Sequence, residues 1–148
     1  MEKQSLVDIK WLIREWDEIS EAIHETFGSG SALILRHVGE GIGRGYAENI
    51  KGDELSLQNT LKFLHDYFAQ RALGKLAFAE IKMEDSSGKV IIQGTSLRNP
   101  HSRFILYGII AGFLEEVTGK KTSIREVKNE FPAVIEAAFY LVEGETLS

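Results

Sequence analysis

At 148 residues the chain has the size of one ordinary domain, and 43% hydrophobic with 26% charged residues excludes wholesale disorder. A net charge of −5, with the lysines and arginines scattered, disfavours a nucleic-acid partner, because phosphate neutralisation supplies most of that affinity. The absence of cysteine excludes disulfides, thiolate metal sites and cysteine nucleophiles.

The longest clean apolar run, Phe104 to Leu114, falls short of the ~18 residues of a membrane span and ends at Glu115 and Glu116. Met1-Glu2-Lys3-Gln4 leads straight into a charged amphipathic segment, unlike a signal peptide, so a cytoplasmic protein is expected. In that segment Leu6, Ile9, Leu12, Ile13, Trp16, Ile19 and Ile23 recur at spacings of three and four. The spacing predicts a helix from Ser5 to Phe27, with Ser5 and Asp8 resembling a capping box. After Gly28-Ser29-Gly30, Ser31 can cap a second helix from Ala32 to about Ile50, closed by Lys51-Gly52-Asp53. A third, from about Ser56 to Leu73, puts Leu57, Leu61, Leu64 and Phe68 on one side, and Gly74 stops it.

The pattern then changes to strands. Lys75 to Asp85 and Lys89 to Ser96 flank Ser86-Ser87-Gly88, a turn in which the glycine is expected to take positive φ. Asn99-Pro100 marks a loop before a fourth helix, Ser102 to Thr118, with Gly119 as its left-handed cap. Lys121 to Asn129 and Glu136 to Glu143 read as the last strands, joined around Pro132. The order ααα-ββ-α-ββ predicts an α+β fold, a four-stranded antiparallel sheet packed with helices. Residues 1–148 form one domain in this reading, and 1–30 supply a dimerisation helix rich in exposed apolar surface.

The second helix carries Gly39, Gly41, Gly43 and Gly45, each costing up to ~1 kcal/mol relative to alanine. No strand precedes them and no frame has dinucleotide spacing. The pairs Gly39 with Gly43 and Gly41 with Gly45 instead offer small surfaces for close backbone approach, and Gly108, Ala111 and Gly112 repeat the device. Tight helix packing is one reading; room for a ligand between helix and sheet is the other.

These segments resemble the 4-vinyl reductase or hydrocarbon-binding domain family. Ile34-Leu35-Arg36-His37-Val38-Gly39-Glu40-Gly41-Ile42-Gly43-Arg44-Gly45-Tyr46-Ala47 looks like its first block, an aliphatic stretch followed by G-x-x-x-G-R-x-x-A. Phe104 to Leu114, followed by Ile124-Arg125-Glu126-Val127-Lys128, looks like the second, a G-x-x-A-G helix leading into a strand with R-E-V. The similarity covers about Ala32 to Val142. It implies a fold related to the TRAPP vesicle-tethering subunits, a closed apolar pocket between helices and sheet, and a homodimer formed partly by N-terminal elements. The lining it implies is Phe63, Phe68, Phe78, Ile81, Phe104, Tyr107, Gly108 and Ala111, with Glu126 as a polar contact. The plain alternative for each is a core residue.

The phenol sensors of that family hold a structural zinc with one glutamate and three cysteines. Glu126 matches the glutamate, but Ser102 or Arg103, Asn129 and Ala137 stand where the cysteines belong. One carboxylate does not make a tetrahedral site, so no metal is expected, and Glu126 is assigned to a salt bridge or hydrogen bond at the sheet edge. The histidines, His24, His37, His65 and His101, contain no i, i+4 pair and read as solvated or satisfied in the core. The leading functional reading is non-enzymatic binding or sensing of a small apolar molecule, with no cofactor. A scaffold subunit of the TRAPP type is the alternative; a tetrapyrrole-type reductase lacks any nucleotide motif or redox cysteine.

Overall fold

The computed structural model describes residues 9–50, 57–82, 84 and 86–142. Along them run α1 (Ile9–Phe27), α2 (Ser31–Ile50), α3 (Leu57–Gln70), β1 (Lys75–Lys82), β2 (Ser87–Gln93), α4 (Arg103–Thr118), β3 (Lys121–Glu130) and β4 (Val134–Val142). Short 3-10 turns at Gly28–Gly30 and Pro100–Ser102 lead into α2 and α4. The order is the expected ααα-ββ-α-ββ, and boundaries move by a few residues. The pair Ser5 and Asp8, the stop at Lys51-Gly52-Asp53, Ser56, and strand positions Met83, Asp85 and Glu143 lie outside the described residues.

The sheet is antiparallel throughout with strand order β1-β2-β4-β3. Because β4 enters between β2 and β3, the chain leaving β2 must cross the sheet to start β3, and α4 makes that crossing. Alternation turns Leu76, Val90, Ile92, Ile124, Ile135, Ala137 and Phe139 to the helix side, where all are buried. Above them every α4 residue from Ile105 to Leu114 is buried. A helix apolar on all sides belongs in the middle of a core, and each Leu, Ile or Phe there contributes roughly 1.5–3 kcal/mol. The left-handed cap at Gly119 (φ 72°) ends it, donating its N–H to the Glu115 carbonyl at 2.9 Å.

The glycines explain how α2 reaches α4. Leu35, Gly39, Gly43 and Ala47 form one buried line at intervals of four. A Cβ on Gly39 would fall on the Ile105 carbonyl oxygen, and one on Gly43 on that of Ile109. In return, a Cβ on Gly108 would fall on the carbonyl of Arg36, and one on Gly112 on that of Glu40. Backbone meets backbone along four glycines. Gly41 and Gly45, the other pair expected to pack, face open space.

Gly88 also departs from expectation. The turn's positive φ falls on Ser86 (50°), and Gly88 lies inside β2. A bulge in β1, where the pairing jumps from Ala79–Lys89 to Lys82–Ser87 and Glu80 has φ 52°, reorients the strand end. Ile81 then fills the space over Gly88, where a Cβ would stand 2.6 Å from its Cδ1 and 2.8 Å from Phe139 Cζ.

β3 is an edge strand, and α2 covers part of that edge. The Arg36 guanidinium donates to the carbonyls of Thr122 and Ile124, both at 3.3 Å. Further along, a register shift between Glu126 and Lys128 leaves Val127 exposed at a bulge. Both features blunt the edge against further strand pairing.

Candidate functional site

An apolar cavity of about 250 Å³ lies between α3, the β1–β2 hairpin end, the last turn of α4 and β4. Its apolar walls are Leu61, Ile81, Leu114, Phe139 and Leu141. Ser86, Ser87, Thr118, Lys82 and Lys120 add polar groups. Thr118 is already committed, its hydroxyl donating to the Leu114 carbonyl at 2.6 Å and accepting from the Lys120 N–H at 3.1 Å. The bulge and Gly88 together put Ile81 in this wall. Such an arrangement, apolar walls with a few polar groups at one side, can hold and orient a small molecule.

Of the residues singled out from the sequence, Ile81 lines this cavity. Phe78 stands behind it, its ring edge-on to Phe139 at 6.1 Å between centroids. Phe68 and Ala111 are fully buried, and Phe63, partly buried, gives its carbonyl to the Tyr46 hydroxyl at 3.4 Å. The space left by Gly108's missing side chain is taken by the α2 backbone, so it opens no room beside Tyr107. Leu61, Leu114, Phe139 and Leu141 were not singled out. The i, i+3 spacing of Leu61 and Leu64 marks the inner face of α3, but only the bulge decides what faces it.

The remaining three, Phe104, Tyr107 and Glu126, meet elsewhere. The Tyr107 hydroxyl donates to Glu126 Oε2 at 2.5 Å, and Arg103 donates to the same carboxylate through Nε at 2.7 Å and Nη2 at 3.3 Å. Arg103 also lies over the Phe104 ring, 4.3 Å from its centroid. Burial, and then the hydrogen bond to Glu126, push the Tyr107 hydroxyl well above the usual tyrosine range. Glu126 is therefore the sheet-edge ion pair expected from the sequence, joining β3 to the start of α4. A second ion-pair chain links α2 to the far end of α4. Arg44 bonds Glu115 at 2.8 Å, and Glu115 Oε2 accepts from the Thr122 N–H at 3.0 Å.

A third polar cluster docks α1. The Asp17 carboxylate accepts from the N–H groups of Arg98 (2.8 Å) and Asn99 (3.0 Å). The Ser102 hydroxyl lies 2.8 Å from both Asp17 Oδ1 and Ser20 Oγ; its single proton goes to the carboxylate, the stronger acceptor. Beside it the rings of His24 and His101 stack at 3.7 Å, 19° from parallel, and His24 Nδ1 lies 3.3 Å from Ser31 Oγ. Burial lowers the His101 pKa, and His24 and Arg103 add to the shift. No sequence spacing brings residues 24 and 101 together, and this pair was missed. Among the described residues no three His, Asp or Glu side chains gather as a metal site, and no helix is long and apolar enough to cross a membrane.

No protein-family model matches the sequence, and no curated protein does. Solved structures do match. The trafficking protein particle complex subunit 3 of Naegleria fowleri, covalently bound to palmitic acid, aligns with TM-score 0.73 and 13% identity over 93% of this chain and 97% of its own. The phenol-responsive sensory domain of the transcription activator PoxR, solved with phenol, aligns with TM-score 0.65 and 13% identity over 94% and 77%. A vinyl-4-reductase family protein of Methanocaldococcus jannaschii aligns with TM-score 0.55 and 18% identity over 96% and 100%. The chain shares the fold of this trafficking protein particle complex subunit, this sensory domain and this vinyl-4-reductase family protein.

Proposed function

We propose that this chain is a non-enzymatic module that holds a small hydrophobic molecule. The observation that carries the reading is the apolar cavity walled by Leu61, Ile81, Leu114, Phe139 and Leu141, sited where helix layer and sheet part. Its volume, about 250 Å³, lies just below the usual range of ligand pockets, so the molecule is compact, of the size of a one- or two-ring aromatic. Two structural neighbours, solved with palmitic acid and with phenol, support the reading by fold. Phe78 acts as support behind Phe139; Phe63, Phe68, Gly108 and Ala111 belong to the packing of the core, and Phe104, Tyr107 and Glu126 to the ion-pair cluster at the start of α4. Titration with the neutral fluorophore 2-naphthamide tests it: saturable one-site binding is expected, and no binding up to its solubility limit overturns it.

A second copy of the chain is the proposed partner. Trp11, Ile19 and Phe27 of α1 and Leu33 and Val38 of α2 are large apolar side chains left exposed on the two N-terminal helices. Concentrated exposed apolar surface marks interfaces. The same surface favours the scaffold reading if its occupant is a different protein. Sedimentation of purified protein at micromolar concentration separates the two, a homodimer supporting the first and a monomer overturning it.

A further inference from the structure

We infer that the cavity selects a negatively charged ligand, a small aromatic or aliphatic acid whose carboxylate is held at Lys82; this rests on the cavity being a ligand site. After the β1 bulge Ile81, still 36% exposed, lies over Gly88 at the mouth of the cavity, and the next residue, Lys82, stands at the lip. Lys82 borders both the apolar cavity and the depression on the outer face of the sheet, where Lys89, Arg125, Ser123 and Tyr140 lie together with Glu80, whose carboxylate is taken up by Lys89. It is exposed, and its ammonium has no ion-pair or hydrogen-bond partner among the described residues, whereas the neighbouring Lys89 is bound to Glu80 at 3.1 Å and Glu136 at 3.7 Å.

Cross-strand register supplies the rest of the recognition surface. Lys82 pairs with Ser87, and Ser87 with Tyr140, so the Ser87 hydroxyl starts one strand away from Lys82. Ser86 precedes it in the turn and lines the same cavity. Neither serine hydroxyl has a hydrogen-bond partner among the described residues, while Thr118 already gives its proton to the Leu114 carbonyl. An ammonium and two hydroxyl donors at one end of an apolar chamber match a carboxylate on an apolar body. The cation stays hydrated until the anion arrives, so the arrangement costs little when empty. A neutral ligand would take the same walls without the charge-assisted bond.

The test compares 2-naphthoate with 2-naphthamide, which share shape and differ in charge, by fluorescence titration at pH 7.5 in low salt. The expected result is that the intact chain prefers naphthoate by roughly five- to tenfold, as a partly exposed charged hydrogen bond provides. Lys82→Met should abolish that preference, so that the two probes bind with similar affinity, and added salt should shrink the preference of the intact chain. Equal binding of the two probes to the intact protein, or an unchanged preference in Lys82→Met, overturns this inference and leaves the cavity reading standing. Binding of neither probe overturns both.

Discussion

Gly39 and Gly108 face each other across the α2–α4 crossing, and a Cβ placed on Gly39 would stand 2.9 Å from the Cα of Gly108. Nothing flexible lies between them. A methyl group at either position must separate two backbones that are pinned elsewhere by Arg36 and by the Arg44–Glu115 ion pair.

The first prediction contrasts the two glycine pairs. Gly39→Ala and Gly108→Ala should each destabilise by ~3 kcal/mol or more, or prevent folding, because helix backbone cannot yield as a side chain would. Gly41→Ala and Gly45→Ala meet open space and should each stabilise by ~0.5–1 kcal/mol through helix propensity alone. Denaturant melts of the four variants check this. Similar losses in both pairs would mean that the exposed glycines serve a contact absent from the isolated chain.

Which glycines pack was legible in the sequence, though the reading left both pairs open. The Gly39–Gly43 line continues in steps of four to Leu35 and Ala47, whereas the Gly41–Gly45 line continues to His37 and Asn49. The first reads as an interior line and the second as a solvent line. Element order was legible because periodicity changes from three-and-four to two at Gly74. The cavity was not. Its position depends on the bulge at Glu80, a residue with no turn signature, and on Gly88 acting through absent bulk rather than positive φ. Long-range pairs such as His24 with His101 leave no trace in local spacing.

The second prediction concerns the Arg103–Glu126–Tyr107 cluster. Tyr107→Phe removes one hydrogen bond and leaves Glu126 paired with Arg103, so a loss of ~1 kcal/mol is expected. Glu126→Ala strips the partner from a buried hydroxyl and a largely covered guanidinium together, and should cost ~2–3 kcal/mol. Thermal melts rank the two. Equal effects would show that Arg103 finds another acceptor; it already donates to the Pro100 carbonyl at 2.6 Å.

The third prediction is a pH dependence of α1 docking. The folded-state pKa of His101 is lowered by burial first, then by His24 and Arg103, with Glu21 opposing and Asp17 close by in the same junction. Below the unfolded value near ~6.5 the unfolded chain therefore binds the extra proton first. Stability is full above that pH and falls as pH drops through the lowered folded value. Trp11 and Trp16 both lie on α1, so their fluorescence reports the change. His101→Gln should flatten the profile between pH 7 and 5; an unchanged slope would place the titrating group elsewhere.

The last prediction asks whether the cavity is space that a ligand can use. Leu114 is 1% exposed and forms one wall, so Leu114→Ala should cost ~2–5 kcal/mol, with the larger values where the neighbours cannot collapse into the gap. Leu61 is only partly buried and stands on the opposite wall, on α3. Leu61→Trp extends into the cavity rather than into packed atoms, so its stability should change by less than ~1 kcal/mol. The two variants should diverge with an apolar probe present. In Leu114→Ala, 2-naphthamide at 100 times its Kd returns ~2.7 kcal/mol, because anything that binds the folded state alone stabilises by mass action. In Leu61→Trp the indole already occupies the site and the same probe should leave the melting temperature unchanged. If Leu61→Trp instead unfolds as readily as an overpacked core variant, that wall is closed in solution, and any apolar ligand must enter by another face.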